Sequence, residues 1–290
     1  MGEFITRKIM GSEVDTKDFT RLFSEFNDIL NTNMVLADKR DKISEEIFPC
    51  LEAFRIMEQK YREFCKLEEK CYKSIAKQIN KGVKKLSDIT FDDPSSLLRK
   101  HFEDFMIRGQ FVIRYRNKIC MIVFDDNKLD EGSRRREKLN ELLELRKETL
   151  GPIIYKMYKE IMKEDEEWLT LFTQTRDKVE HVEKNNLHIS DFKVELNNNV
   201  IDIKMPIYSE LGERCDKFMN SMFVRLYLHV EDFISMFLNL TSDGFWVIKP
   251  FADEDTRKVK KKWYSINLGN RIYRIDLHDV YKEKFFSSDI

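Results

Sequence analysis

A chain of 290 residues can bury a core without a metal or disulfide staple, and its composition of 42% hydrophobic and 36% charged residues with only 9 Gly and 5 Pro favours long amphipathic helices over a turn-rich β architecture. The 51 basic and 52 acidic side chains nearly cancel, which excludes a global positive field, so any nucleic-acid contact must come from a local patch. Cys50, Cys65, Cys71, Cys120 and Cys215 are odd in number and lack CxxC spacing, the profile of small core residues in a reducing cytoplasm, and no run approaches the roughly 18 apolar residues of a membrane span.

The start of the chain lacks an apolar signal core. Met1 to Thr6 fit the bare myristoylation pattern, against the plainer reading of a disordered N-terminus. Over 12–31 the residues Phe19, Leu22, Phe23, Phe26 and Leu30 recur at three- and four-residue steps and predict a first helix. A second, long helix is predicted over 42–80, with Ile47, Leu51, Phe54, Met57, Tyr61, Phe64 and Tyr72 on one stripe, Pro49 tolerated near its start, and Lys81-Gly82 ending it. Asp92-Asp93-Pro94-Ser95 reads as a cap with Pro in the first turn, opening a helix over 97–124 that is apolar on more than one side. Its charges must find partners or an opening.

The polar stretch 125–138 reads as a loop, its Arg134-Arg135-Arg136 run as a solvated face flanked by acids. Helices over 136–148 and 152–184 follow, the second bent around Glu164-Asp165-Glu166-Glu167. Alternation then replaces helical periodicity on both sides of Asn197-Asn198-Asn199, a hairpin signal covering about 191–205. A helix over 210–240 carries Cys215, Met219, Met222, Leu226, Val230, Phe233 and Phe237. Beyond Asp243-Gly244 three segments, FWVIK, KWYSINL and RIYRIDL, read as strands, the last two joined at Gly269-Asn270. The expected organisation is a mainly α, helical-bundle domain over 12–241 with the hairpin inserted in it, and a small antiparallel β segment over 242–290 packed on it.

The segment TQTRDKVEHVEKNN, from Thr173 to Asn186, carries the chemistry. At about 100° per residue, Trp168, Phe172, Thr175, Val179 and Val182 form one narrow stripe and predict the core side. His181 then projects about 140° from the centre of that stripe, with Asp177 one turn below it and Arg176 on the flank. An Asp one turn from a His can hold the imidazole for general acid or base work. The Arg176 fork suits a phosphate and the extra charge of a phosphorane. Such a set could cleave RNA through the substrate's own 2′-hydroxyl, with no metal, cofactor or protein nucleophile. One helix supplies too few groups both to remove and to return a proton, so a twofold homodimer would be needed to double them.

RDKVEH resembles the signature of the HEPN superfamily, an Arg and a His with four to six residues between them and a polar residue directly after the Arg; here Arg176, Asp177 and His181 supply it. The helical surroundings, with the motif late in a long helix, are similar to that superfamily over about 12–240. The resemblance implies a homodimeric, metal-independent endoribonuclease with a composite active site, often in antiviral defence or beside an antitoxin partner. Arg176 would then be phosphate clamp, His181 general acid/base group and Asp177 its orienter. Arg114, Arg116, Asn117 and Lys178 are the further candidates for holding RNA. Arg271 and His278 match the same spacing, but they lie in a predicted strand and an apolar Ile272 follows the Arg.

His229 falls on the apolar stripe of its helix and reads as a core histidine, while His101 and His188 lack company. No spacing of a structural zinc site, phosphate-binding Gly-rich loop, GxSxG elbow or Walker Lys is present in the sequence. Trp246, Trp263, Tyr264, Tyr273 and Lys260-Lys261-Lys262 could stack and steer single-stranded RNA, or serve as the core of a small sheet. Three readings stay open: the endoribonuclease, a non-catalytic HEPN-like RNA-binding or interaction scaffold, and a helical interaction protein using the second helix as a coiled coil.

Overall fold

The computed structural model describes residues 30, 36–83, 85–130, 132–180, 189–197, 200–208, 211–241, 246–250 and 273–277. Apart from Leu30, the helix expected over 12–31 lies outside the described residues, as does the KWYSINL segment. Among the described residues five α-helices dominate: α1 (Arg40–Asn80), α2 (Ser95–Phe124), α3 (Gly132–Leu145), α4 (Lys147–Glu180) and α5 (Cys215–Thr241). Six short strands of the described residues form three two-stranded antiparallel ladders. The architecture is mainly α, as the composition predicts.

Local chemistry sets the helix ends. Asp93 Oδ1 accepts from the Ser95 backbone N–H at 3.0 Å and from Ser95 Oγ at 2.6 Å, and the Pro94 carbonyl takes the first helical bond, from Leu98 N–H at 2.8 Å. At the far end of α1, Gly82 adopts φ 93°, and the Gly82 and Val83 N–H groups return to the Ile79 and Gln78 carbonyls at 2.9 and 3.3 Å. That is the left-handed stop expected at Lys81-Gly82. Pro49 lies ten residues into α1, deeper than the expected start allowed, because the helix begins at Arg40. The polar stretch 125–138 is not all loop: α3 already covers Arg134 to Arg136, with Arg135 Nη1 donating to the Leu129 carbonyl at 2.8 Å and Arg136 paired with Glu166 at 2.6 Å. The break in α4 falls at Gly151 (φ 75°, ψ 164°), immediately before Pro152, and not at the acidic run.

The chain divides into two compact units. The first comprises the described residues within Met1–Glu52, Val112–Leu169 and Leu226–Ile290. Its core includes Ile43, Ile47, Ile119, Leu143, Tyr158, Trp168, Val230 and Phe233, all buried. Lys118 bridges to Glu46 at 3.2 Å, and Lys159 reaches Glu144 at 2.8 Å. Lys39 donates to the Val123 carbonyl at 2.8 Å and pairs with Asp125, placing a cation at the C-terminus of α2. Strands β5 (Trp246–Pro250) and β6 (Tyr273–Leu277) pair from Trp246↔Leu277 to Pro250↔Tyr273, so the described parts of the first and third expected strands share one ladder.

The second unit comprises Ala53–Phe111 and Thr170–Arg225. An aromatic cluster organises it: Phe102, Tyr208 and Phe218 meet at centroid distances of 5.2 to 6.0 Å, and Phe54 meets Phe223 edge-on at 6.2 Å. The predicted hairpin is β1 (Lys193–Asn197) with β2 (Val200–Lys204), registered Lys193↔Lys204 through Asn197↔Val200. Helix α5 starts five residues later than expected, because β3 (Ile207–Tyr208) and β4 (Glu213–Arg214) pair first. The α1 stripe is spent inside the unit: Phe54, Met57 and Phe64 are fully buried, whereas Tyr72, expected on that stripe, is exposed.

Candidate functional site

The last three turns of α4 carry Arg176, Asp177 and Lys178. Trp168, Phe172, Thr175 and Val179 are buried, as the helical angles require. Within the second unit, Thr175 Oγ1 donates to the Leu171 carbonyl at 2.9 Å and lies 3.3 Å from the Tyr208 hydroxyl, while Phe172 packs on Gly109. The apolar side of this turn is therefore pinned in its register. About 70° and 170° from the stripe's centre come Arg176 and Asp177. Their side chains meet at 3.2 Å, Arg176 Nη2 to Asp177 Oδ1, with Arg176 17% and Asp177 44% exposed. Lys178 is half-buried on the other flank. His181 and Val182 lie outside the described residues, as does His188.

Guanidinium and carboxylate on adjacent residues hold each other, which orients the Arg176 fork and partly neutralises it. Chemically the pair can grip a phosphate oxygen only by sharing the guanidinium between ligand and Asp177. No metal is implied by this donor set, and among the described residues no group of three or more His, Cys, Asp or Glu could hold one. Comparison with family models, with curated proteins and with solved structures yields no match to this chain.

The remaining candidates fall in the first unit. Arg114 is exposed on α2. Arg116 and Asn117 are buried, at 5% and 9% exposure, which corrects their expected place on an RNA-facing surface. Arg116 Nε and Nη2 donate to Asn117 Oδ1 at 3.1 and 2.6 Å, Nη1 meets His229 Nε2, and the guanidinium stacks over Phe233 at 5.2 Å. Arginine has only donors, so His229 Nε2 must accept and the ring proton sits on Nδ1. Trp168 meets the imidazole edge-on at 5.3 Å. His229 is thus a core histidine with a partner, 113 residues away in sequence; no local spacing could have joined the two.

Two further groups escaped the sequence reading. His101, read as lacking company, stands with Nδ1 3.3 Å from Glu63 Oε2, and burial holds its imidazole below the usual range even though the Glu63 carboxylate favours the cation. Glu68 is 4% exposed on α1, and burial pushes its carboxyl up to about 7, assisted by Asp216 and opposed by Arg214. Arg214 grips Asp216 through two bonds of 2.9 Å and stands 3.7 Å from Glu68. Burial likewise pushes the thiols of Cys50 and Cys215 up to about 12 and that of Cys120 to about 11, which makes them poor nucleophiles at neutral pH.

Among the described residues, no helix is long and apolar enough to cross a membrane.

Proposed function

We propose that the chain is a metal-independent endoribonuclease of HEPN type, acting as a homodimer in which two copies of Arg176, Asp177 and His181 line one cleft. The observation that carries this reading is the Arg176–Asp177 pair on the polar flank of a helix turn whose opposite side is locked into the core. A reacting phosphate needs a fork held at a fixed angle, and a side chain one residue away supplies that restraint. In this scheme His181 removes the 2′-hydroxyl proton, the oxygen attacks the adjacent phosphorus, and the partner's histidine protonates the leaving 5′-oxygen. The products are a 2′,3′-cyclic phosphate and a 5′-hydroxyl. An antitoxin or defence setting belongs to the same proposal and rests on the resemblance of RDKVEH alone.

Mapping the product ends tests this. Purified protein incubated with a structured RNA in excess EDTA should leave cyclic phosphates, and 3′-hydroxyl or 5′-phosphate ends would sink the scheme.

A second reading is favoured by one observation: Arg176 is mostly buried and already paired with Asp177, which suits a non-catalytic RNA-binding or interaction scaffold. RNA binding without turnover, unchanged by His181→Ala, would establish it. The coiled-coil reading of α1 loses its basis, since Phe54 is fully buried against Phe223 within its own chain.

A further inference from the structure

The overall charge balance demands a local patch for any polyanion, and α1 provides one. Between Lys66 and Lys85 the sequence places seven lysines against two acids, Glu68 and Glu69, a local surplus of five (7 − 2) in a chain of net charge −1. Of those two acids Glu68 is turned into the core. At about 100° per residue, Arg62, Lys66, Lys70, Lys73, Lys77 and Lys81 fall in one sector about 100° wide. All six are exposed. The neighbouring acids of α1 itself are engaged: Glu58 by Arg62 at 2.5 Å, Glu63 by Lys60 at 2.9 Å and Glu69 by Lys73 at 2.5 Å; from the turn before α2, Asp92 and Asp93 act on Cys71, which is buried off the stripe. Lys66, Lys70, Lys77 and Lys81 form no ion pair with any described residue.

We infer that this stripe of α1 docks the phosphodiester backbone of a nucleic acid. From Lys66 to Lys81 it runs about 22 Å along the helix, the length of about six phosphates of one duplex strand. Four free ammonium groups in a straight row suit a regularly charged strand. A membrane surface fits less well: an interfacial helix must offer its apolar face to lipid, and here Phe64, Cys71 and Ile75 are buried in the protein. Tyr72, the one large exposed apolar side chain of this stretch, lies about 130° away from the stripe's centre. The docking surface adds to the ribonuclease proposal and does not depend on it, since it needs neither Arg176 nor His181.

The test is fluorescence-anisotropy titration, in EDTA, of the full chain carrying His181→Ala with a 20-nucleotide RNA and the DNA of the same sequence. Vesicles of phosphatidylserine and phosphatidylcholine make the third arm, read by co-sedimentation. The stripe variant carries Lys66→Gln, Lys70→Gln, Lys77→Gln and Lys81→Gln. Gln keeps helix propensity close to that of Lys, and far-UV circular dichroism checks the fold. A control with Lys128→Gln, Lys156→Gln, Lys163→Gln and Lys100→Gln makes the same change in net charge elsewhere. The stripe variant should bind at least about tenfold more weakly and lose about three from the slope of log affinity against log salt for a single strand, while the control stays near the parent. Equal effects on RNA and DNA identify the backbone as ligand, and stripe-dependent binding of RNA alone assigns the docking to RNA with help from the 2′-hydroxyl. Parent and stripe variant binding alike, equal loss in the control, absence of any binding by the parent, or stripe-dependent capture of vesicles without nucleic acid would each overturn the inference. Cleavage by the wild-type chain is scored separately, so failure of the ribonuclease proposal leaves this result readable.

Discussion

Gly109 has no side chain because a ring occupies the place where one would go. A Cβ there would collide with Phe172 Cζ and sit 3.2 Å from Met57 Cε, and both of those side chains are fully buried. Gly109→Ala should therefore destabilise the protein by about 1–2 kcal/mol, overpacking in the upper part of the usual range, about 2–3 kcal/mol, outweighing a helix-propensity gain of about 1 kcal/mol. Urea unfolding measures it, and a variant as stable as wild type would disprove the close approach. Glu68 gives a pH signature. Its carboxyl is held at about 7 in the fold against 4.5 ordinarily, so folding favours the protonated form. The stabilisation is complete below about 4.5 and is lost as pH rises through 7, about 3 kcal/mol in all. Glu68→Gln should flatten that decline and be more stable than wild type at pH 8; parallel pH profiles would refute the assignment. Neither residue announced itself in the sequence, since a glycine inside a helical pattern and a Glu beside a Glu acquire meaning only from side chains on other elements.

At the scale of elements, periodicity carried most of the fold. The buried stripes of α1, α2 and α5 recur every three or four residues, and Gly82 stops α1 where a left-handed residue was required. What was misplaced involves competition between neighbours. The start of α3 was hidden by a polar stretch whose arginines find partners at Leu129 and Glu166, and the start of α5 was delayed by the two-residue β3–β4 ladder. The bend of α4 belongs to Gly151, whose φ 75° and ψ 164° are accessible to glycine and strained for any other residue. Gly151→Ala should cost about 1–3 kcal/mol through backbone strain alone, because nothing lies within 4 Å of the added methyl. An unchanged denaturation midpoint would contradict that reading.

For the whole molecule, the functional claim rests on the polar side of one helix end. Arg176 and Asp177 were legible as an adjacent pair outside the core stripe, and the structure places them in contact. Arg116 and Asn117 were misassigned because burial is a property of the folded unit: the same α2 segment that offers Arg114 to solvent turns Arg116 onto His229. The α1 lysine row was legible in principle from its steps of four, three, four and four, yet a charge total of −1 gives no hint of it. The most direct test of the central claim is the rate of RNA cleavage in excess EDTA by wild type and by His181→Ala, measured side by side. The proposed general acid/base role predicts metal-free cleavage that falls by about 10²-fold or more in the variant. Equal rates for the two proteins, or cleavage that stops when EDTA is added, would contradict it.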